Sequence, residues 1–98
     1  MNKKYEKYIN YIVNDIEAPY FINMKDNYGL RPNEYEMVLS KVFNQSVTIK
    51  FNNVHNTNGK RIYYENSSGD WSKSEYDTNG NEIYYENSNG DRIYYENR

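Results

Sequence analysis

The chain has 98 residues, enough for one hydrophobic core, and reads as a single domain over residues 1–98. Twelve Lys+Arg against fourteen Asp+Glu leave a formal charge of −2, which argues against both a strongly basic nucleic-acid binder and a strongly acidic nucleic-acid mimic. The lack of Cys excludes disulfide scaffolds, thiol catalysis, zinc ribbons and iron–sulfur clusters, and a single His leaves little imidazole chemistry.

No apolar run approaches the roughly 20 residues needed to span a bilayer, and the start, Met1 to Lys7, leads into no signal-peptide core. A soluble, cytoplasmic protein is expected. Thirteen Tyr and seventeen Asn stand beside three Phe and one Trp, a bias that fits an AT-rich genome.

Residues 1–44 form a helical part. Tyr5, Tyr8, Ile9, Ile12, Val13 and Ile16 recur in steps of three and four, which predicts an amphipathic helix from about Asn2 to Glu17, stopped by Pro19. A connector from Tyr20 to Leu30 follows. A second helix is predicted from Pro32-Asn33, with Asn33 as cap, Glu36 completing a capping box, and Tyr35, Val38, Leu39 and Val42 as its apolar stripe. Asn44 closes it.

Residues 45–98 change period from near 3.6 to 2. Val47, Ile49 and Phe51 alternate with Thr48 and Lys50 as a strand. Arg61-Ile62-Tyr63-Tyr64-Glu65-Asn66, Glu82-Ile83-Tyr84-Tyr85-Glu86-Asn87 and Arg92-Ile93-Tyr94-Tyr95-Glu96-Asn97 are near-copies, with Trp71 to Tyr76 as one more strand between the first two. Asn58-Gly59, Ser68-Gly69, Asn79-Gly80 and Asn89-Gly90 mark the turns, because glycine supplies the positive φ of tight hairpins. Five antiparallel strands in a meander follow.

Loop length sets which side chains share a face. Three-residue loops ending at Gly69 and Gly90, with two-residue turns at Asn58-Gly59 and Asn79-Gly80, pair Arg61 with Glu75, Tyr63 with Lys73, Tyr76 with Ile83, Lys73 with Glu86, Glu86 with Arg92, Tyr84 with Tyr94 and Ile83 with Tyr95. One face then carries Ile62, Tyr64, Ser72, Ser74, Tyr76, Ile83, Tyr85, Ile93 and Tyr95, joined by Val47, Ile49 and Phe51. The other carries Arg61, Tyr63, Glu65, Trp71, Lys73, Glu75, Glu82, Tyr84, Glu86, Arg92, Tyr94 and Glu96, with opposite charges and rings facing one another across strands. Only the first face is apolar enough to be covered, so the expected fold is α+β: two N-terminal helices packed on one face of a five-stranded antiparallel β-meander.

Tyr76-Asp77-Thr78-Asn79-Gly80-Asn81-Glu82-Ile83-Tyr84-Tyr85 resembles the tyrosine–aspartate (YD) repeat of Rhs-type proteins, and the Tyr-Tyr-Glu-Asn-Ser-x-Gly-Asp periodicity resembles variants of the MORN repeat. Roughly the last 45 residues take part. The combination looks most like small tailed-phage proteins with tyrosine-rich hairpin repeats; Lys25 to Leu30 followed by Glu34 to Val38 is similar to a helical segment of other phage proteins. The resemblance implies a phage-type protein and carries no functional residue onto this chain.

The residues themselves point away from catalysis. His55 has no nucleophile or carboxylate at useful spacing and reads as structural or exposed. Glu65, Glu75, Glu86 and Glu96 could pair as acid and base, but Lys73 and Arg92 beside Glu86 make a salt-laddered outer face the better account. Asp70, Asp77 and Asp91 serve turns rather than a calcium loop, since ligands at alternate positions are missing. No metal, no cofactor and no enzymatic activity are expected.

One constellation reads as a binding site: Tyr63, Trp71, Tyr84 and Tyr94, interleaved with Lys73 and Arg92 and also near Arg61, match the aromatic and cationic make-up of interface hot spots. The bland alternative is a well-paired outer sheet surface. Nucleic acid is the weaker partner, because residues 45–98 hold six basic and eight acidic side chains. The functional expectation is a non-enzymatic module that binds a host or phage protein, with inhibition of a bacterial defence system such as a CRISPR nuclease as its specific form. The alternative is a structural protein that self-associates through the edge strand Arg92–Arg98.

Overall fold

The computed structural model describes residues 3–95 and divides the chain into two compact units, one up to Val47 and one from Thr48 onward. It is α+β, with three helices and a six-stranded antiparallel sheet.

The first unit holds α1 (Lys3–Asp15), α2 (Tyr20–Asp26) and α3 (Pro32–Val42). The 3.6-residue stripe of α1 holds in part: Ile9 and Ile12 are buried, Ile16 is buried just past a helix end that comes two residues before the expected Glu17, and Tyr8 is exposed; α1 packs against α3. The expected start at Asn2 lies outside the described residues. The two-helix expectation is corrected by α2, which occupies the first part of the predicted connector. Seven residues are too few to show a helical period, but Tyr20, Phe21 and Met24 fall at i, i+1 and i+4 and all three are buried. Tyr20 meets Phe43 edge-on at 5.6 Å, and Phe21 meets Tyr35 at 5.8 Å. Pro19, expected only to stop α1, is the cap residue of α2.

The cap of α3 lies two residues earlier than its sequence suggests. Arg31 is the extended cap residue, Pro32 takes the first helical position, and the Arg31 N–H donates to the Glu34 carboxylate at 2.9 Å. Proline fits there because its missing N–H is one the helix cannot use, and it holds the residue before it extended. Asn33 and Glu36 therefore do not form the capping box; Glu34 does the work expected of Glu36. Val38 and Leu39 are fully buried, and Asn44 ends the helix at φ +55.

The second unit is a meander in the order β1 (Thr48–Lys50), β2 (Asn53–His55), β3 (Arg61–Glu65), β4 (Trp71–Tyr76), β5 (Glu82–Asn87) and β6 (Arg92–Tyr94). The expected continuation of the last strand, from Glu96 to Arg98, lies outside the described residues. Six strands replace the expected five because the run from Val47 folds back on itself. Lys50 pairs with Asn53 across a two-residue hairpin at Phe51-Asn52, where Phe51 takes φ +56. No glycine announces that turn. Phe51 consequently leaves the core and is 95% exposed, while Val47 precedes β1 and is buried.

All four remaining turns are one device used four times. In Asn56 to Lys60, Asn66 to Asp70, Asp77 to Asn81 and Asn87 to Asp91, the first residue's N–H donates to the fifth residue's carbonyl, and the glycine N–H donates to the first residue's carbonyl. The first residue's Oδ1 also accepts the N–H groups of the third and fifth residues at 2.9–3.1 Å. Asn and Asp both supply that acceptor oxygen, and where the fifth residue is Asp70 or Asp91 the Asn Nδ2 also donates to its carboxylate. Glycine at the fourth position carries φ of +80 to +90.

These are three-residue loops throughout, so the two-residue turns expected at Asn58-Gly59 and Asn79-Gly80 are corrected. Beyond each of those two loops the ladder shifts by one residue, between Val54 and His55 and between Glu75 and Tyr76. The extra loop residue and the bulge cancel, so the pairs Tyr63 with Lys73, Lys73 with Glu86, Glu86 with Arg92 and Tyr84 with Tyr94 stand as the sequence predicts. Inside each bulge the prediction fails. Tyr76 pairs with Glu82 rather than Ile83, and His55 pairs with Arg61. Arg61 and Glu82 thereby change faces: the Arg61 guanidinium lies 5.1 Å from the Tyr64 ring centroid and donates to Asn53 Oδ1 at 3.2 Å.

Candidate functional site

The face argued from sequence exists as a connected row. Tyr63, Lys73, Glu86 and Arg92 sit opposite one another across β3 to β6; Glu65 sits opposite Trp71; Glu75, Tyr84 and Tyr94 form a parallel row. Alternation along each strand and direct opposition across strands bring distant segments of sequence onto one surface. Trp71 carries the Lys73 ammonium 5.2 Å from its ring centroid and stacks beside Tyr63 at 6.4 Å. Tyr84 and Tyr94 meet at 4.8 Å with a 50° tilt. Arg92 Nε lies 3.9 Å from Glu86 Oε2, an exposed ion pair that adds little stability but fixes the charge pattern.

Burial follows strand order rather than face. Ile62 and Tyr63 point to opposite sides of β3 and are both buried; Ile93 and Tyr94 point to opposite sides of β6 and are both exposed. β4 and β5 lie between, with every residue but Glu75 half-buried. The expectation that the isoleucine face is covered and the charged face open is therefore corrected at β3, where both faces are buried, and at β6, where both are open. Of the six partner-binding candidates, Tyr63 is 1% exposed, Trp71, Lys73 and Tyr84 are half-buried, and Arg92 and Tyr94 are open.

The burial of Tyr63 has a partner that sequence reasoning missed. Glu65, two residues on along the same face, is also 1% exposed, and the Tyr63 hydroxyl donates to its Oε1 at 2.6 Å. A buried carboxylate is tolerated because it is hydrogen-bonded. The i, i+2 spacing could have flagged the pair, but Glu86, at the matching place in β5, is half-buried and faces cations, so the repeat itself concealed the difference.

Two phenols near the open edge titrate high. Partial burial, with the Glu86 carboxylate close by, raises Tyr84; partial burial and a hydrogen bond with Glu82 raise Tyr95. Both rings stay neutral donors well above physiological pH.

His55 lies in a shallow depression lined by Thr48, Lys50, Asn56, Thr57 and Gly59, and its Nδ1 is buried without a hydrogen-bond partner among the described residues. No carboxylate lines that depression, so nothing there orients the imidazole as a general base. No group of three or more His, Asp or Glu among the described residues is placed to hold a metal ion. No described helix is long and apolar enough to cross a membrane.

Comparison of the chain with protein families, curated proteins and solved structures gives no match.

Proposed function

We propose that the protein is a non-enzymatic binding module that engages another protein through the aromatic and charged face of β4, β5 and β6. The observation that carries this reading is the paired arrangement of Trp71 with Lys73 and Tyr84 with Tyr94, beside Arg92, on strands whose exposure rises toward the open edge. Tyr, Trp and Arg are the side chains that concentrate binding energy, because each offers a large, stiff contact surface with a polar tip. Tyr63 serves this surface by stacking against Trp71 rather than meeting the partner, and Glu65 holds the Tyr63 hydroxyl.

The small size and the likeness to tailed-phage repeat proteins support a phage-type role, with a host protein as the target and a bacterial defence nuclease of the CRISPR kind as its specific form. The lone histidine, without an orienting carboxylate, supports the non-enzymatic part.

The test is affinity capture from bacterial lysate with the 98-residue chain and with a Trp71→Ala/Tyr94→Ala variant, each checked for native folding by circular dichroism. A protein retained by the parent and lost by the variant is the expected result. Equal retention of the same proteins by both chains overturns the proposal.

A further inference from the structure

The sheet has two edges, β1 and β6. β1, as short as β6, ends on a lysine, one of the usual devices that keep an edge from pairing, and its single large apolar side chain, Ile49, is half-buried. β6 is different: Ile93, Tyr94 and Tyr95 are 42%, 76% and 43% exposed, three consecutive large side chains open on both faces of one edge. Such an edge calls for an occupant.

The repeat identifies which. In the register of the fold, Glu86 meets Arg92, Tyr85 meets Ile93 and Tyr84 meets Tyr94, and the Tyr95 N–H donates to the Ile83 carbonyl at 3.1 Å. β6 is therefore already complementary to the sequence Ile83-Tyr84-Tyr85-Glu86. That sequence recurs twice more in the chain with all four residues unchanged: as Ile62-Tyr63-Tyr64-Glu65, whose strand β3 is already paired on both sides, and as Ile93-Tyr94-Tyr95-Glu96, which begins in the edge strand β6. We infer that two copies of the chain join edge to edge through β6, antiparallel about a two-fold axis at Tyr94. Tyr94 then faces Tyr94 of the second copy, and Ile93 faces Tyr95.

The backbone agrees with this register. Because Tyr95 directs its N–H at β5, alternation turns the N–H and carbonyl of Tyr94 to the open side, where two Tyr94 residues on the axis exchange a reciprocal pair of hydrogen bonds. Each residue keeps the kind of neighbour it has in the β5–β6 ladder, now on its other side. The contact is isologous and uses up the edge in each copy, while β1 carries the unrelated Thr48-Ile49-Lys50, so assembly closes at a dimer. A two-fold axis normal to the sheet also places the Trp71, Tyr84 and Tyr94 faces of both copies on one side. The inference is independent of the binding-face reading, since it rests on edge backbone groups and the sequence repeat.

The experiment is sedimentation equilibrium of the full chain over a concentration series. The mass is expected to rise from 11.8 kDa toward twice that value. Tyr94→Pro removes the outward N–H while sparing the bonds to β5, and should raise the dimer dissociation constant about tenfold or more. Tyr94→Glu, which leaves the backbone intact, sets two carboxylates against one another across the axis and should also weaken the dimer; mixing it with an equal amount of the Tyr94→Lys chain should restore a dimer. A mass of 11.8 kDa at every concentration up to about 1 mM overturns the inference. So does a dimer that Tyr94→Glu leaves at full strength.

Discussion

Glu65 shows how one residue of a repeat takes an environment that its counterpart Glu86 does not. Its carboxylate is buried and accepts the Tyr63 hydroxyl. Tyr63→Phe removes a donor and leaves a buried acceptor short of a partner, so it should cost about 1–3 kcal/mol in urea denaturation; an unchanged midpoint would mean the pair does not form. Exposure separates two isoleucines at equivalent places in the repeat. Ile62 is 4% exposed and Ile93 42%, so Ile62→Ala should cost about 2–5 kcal/mol and Ile93→Ala under about 1, by the same measurement. In the first unit, the Tyr5 hydroxyl donates to the Glu34 carboxylate, and that bond, with the Arg31 N–H, holds Glu34 below its ordinary value of 4.5. A lowered folded-state pKa gives stability that is complete above the unfolded value and lost as pH falls through the folded one. Glu34→Gln should therefore weaken the protein at about pH 6 and leave a smaller difference from the parent at about pH 3, as read by denaturant melts at the two pH values.

Among the elements, the turns were the most legible. Asn, Asp and Gly at fixed spacing announced them because the acceptor side chain and the positive φ have few substitutes. Their length was not legible, since Asn-Gly suits both two- and three-residue hairpins, and the compensating bulges left most of the ladder where a shorter turn would have put it. Helix α2 and the Phe51 hairpin escaped for a related reason. Each is too short for a period to emerge, and neither carries a glycine. The site was legible as a list of residues sharing one face. Its depth was not, because strand position rather than face sets exposure, and near-identical repeats give no hint of which copy lies inside. The turn chemistry makes its own forecast. Asn66→Asp keeps the acceptor that Asp77 supplies in its own turn but sets a second carboxylate against Asp70, so it should cost about 0.5–1 kcal/mol, whereas Asn66→Ala loses both bonds to Oδ1 and should cost about 1–2 kcal/mol. At Gly80, φ is +83 and a Cβ would meet only Lys60 Cε at 3.6 Å, so Gly80→Ala should cost about 1–2 kcal/mol through backbone strain alone. Thermal melts would check both.

At the scale of the molecule, a helical unit and a tyrosine-rich ladder share one short chain, and the proposed functions belong to the ladder. Its strands bring Trp71, Lys73, Tyr84, Arg92 and Tyr94 together only if every turn and bulge keeps its count, since one residue of slip sends the rings to the opposite face. The most direct test is therefore the register itself, read from backbone NOEs in solution. Tyr84 and Tyr94 form a close, non-hydrogen-bonded pair across β5 and β6, as do Ser74 and Tyr85 across β4 and β5. Strong Hα–Hα cross-peaks between Tyr84 and Tyr94 and between Ser74 and Tyr85 are the predicted result. Cross-peaks linking Tyr84 instead to Ile93 or Tyr95 would contradict the ladder, and the binding face with it.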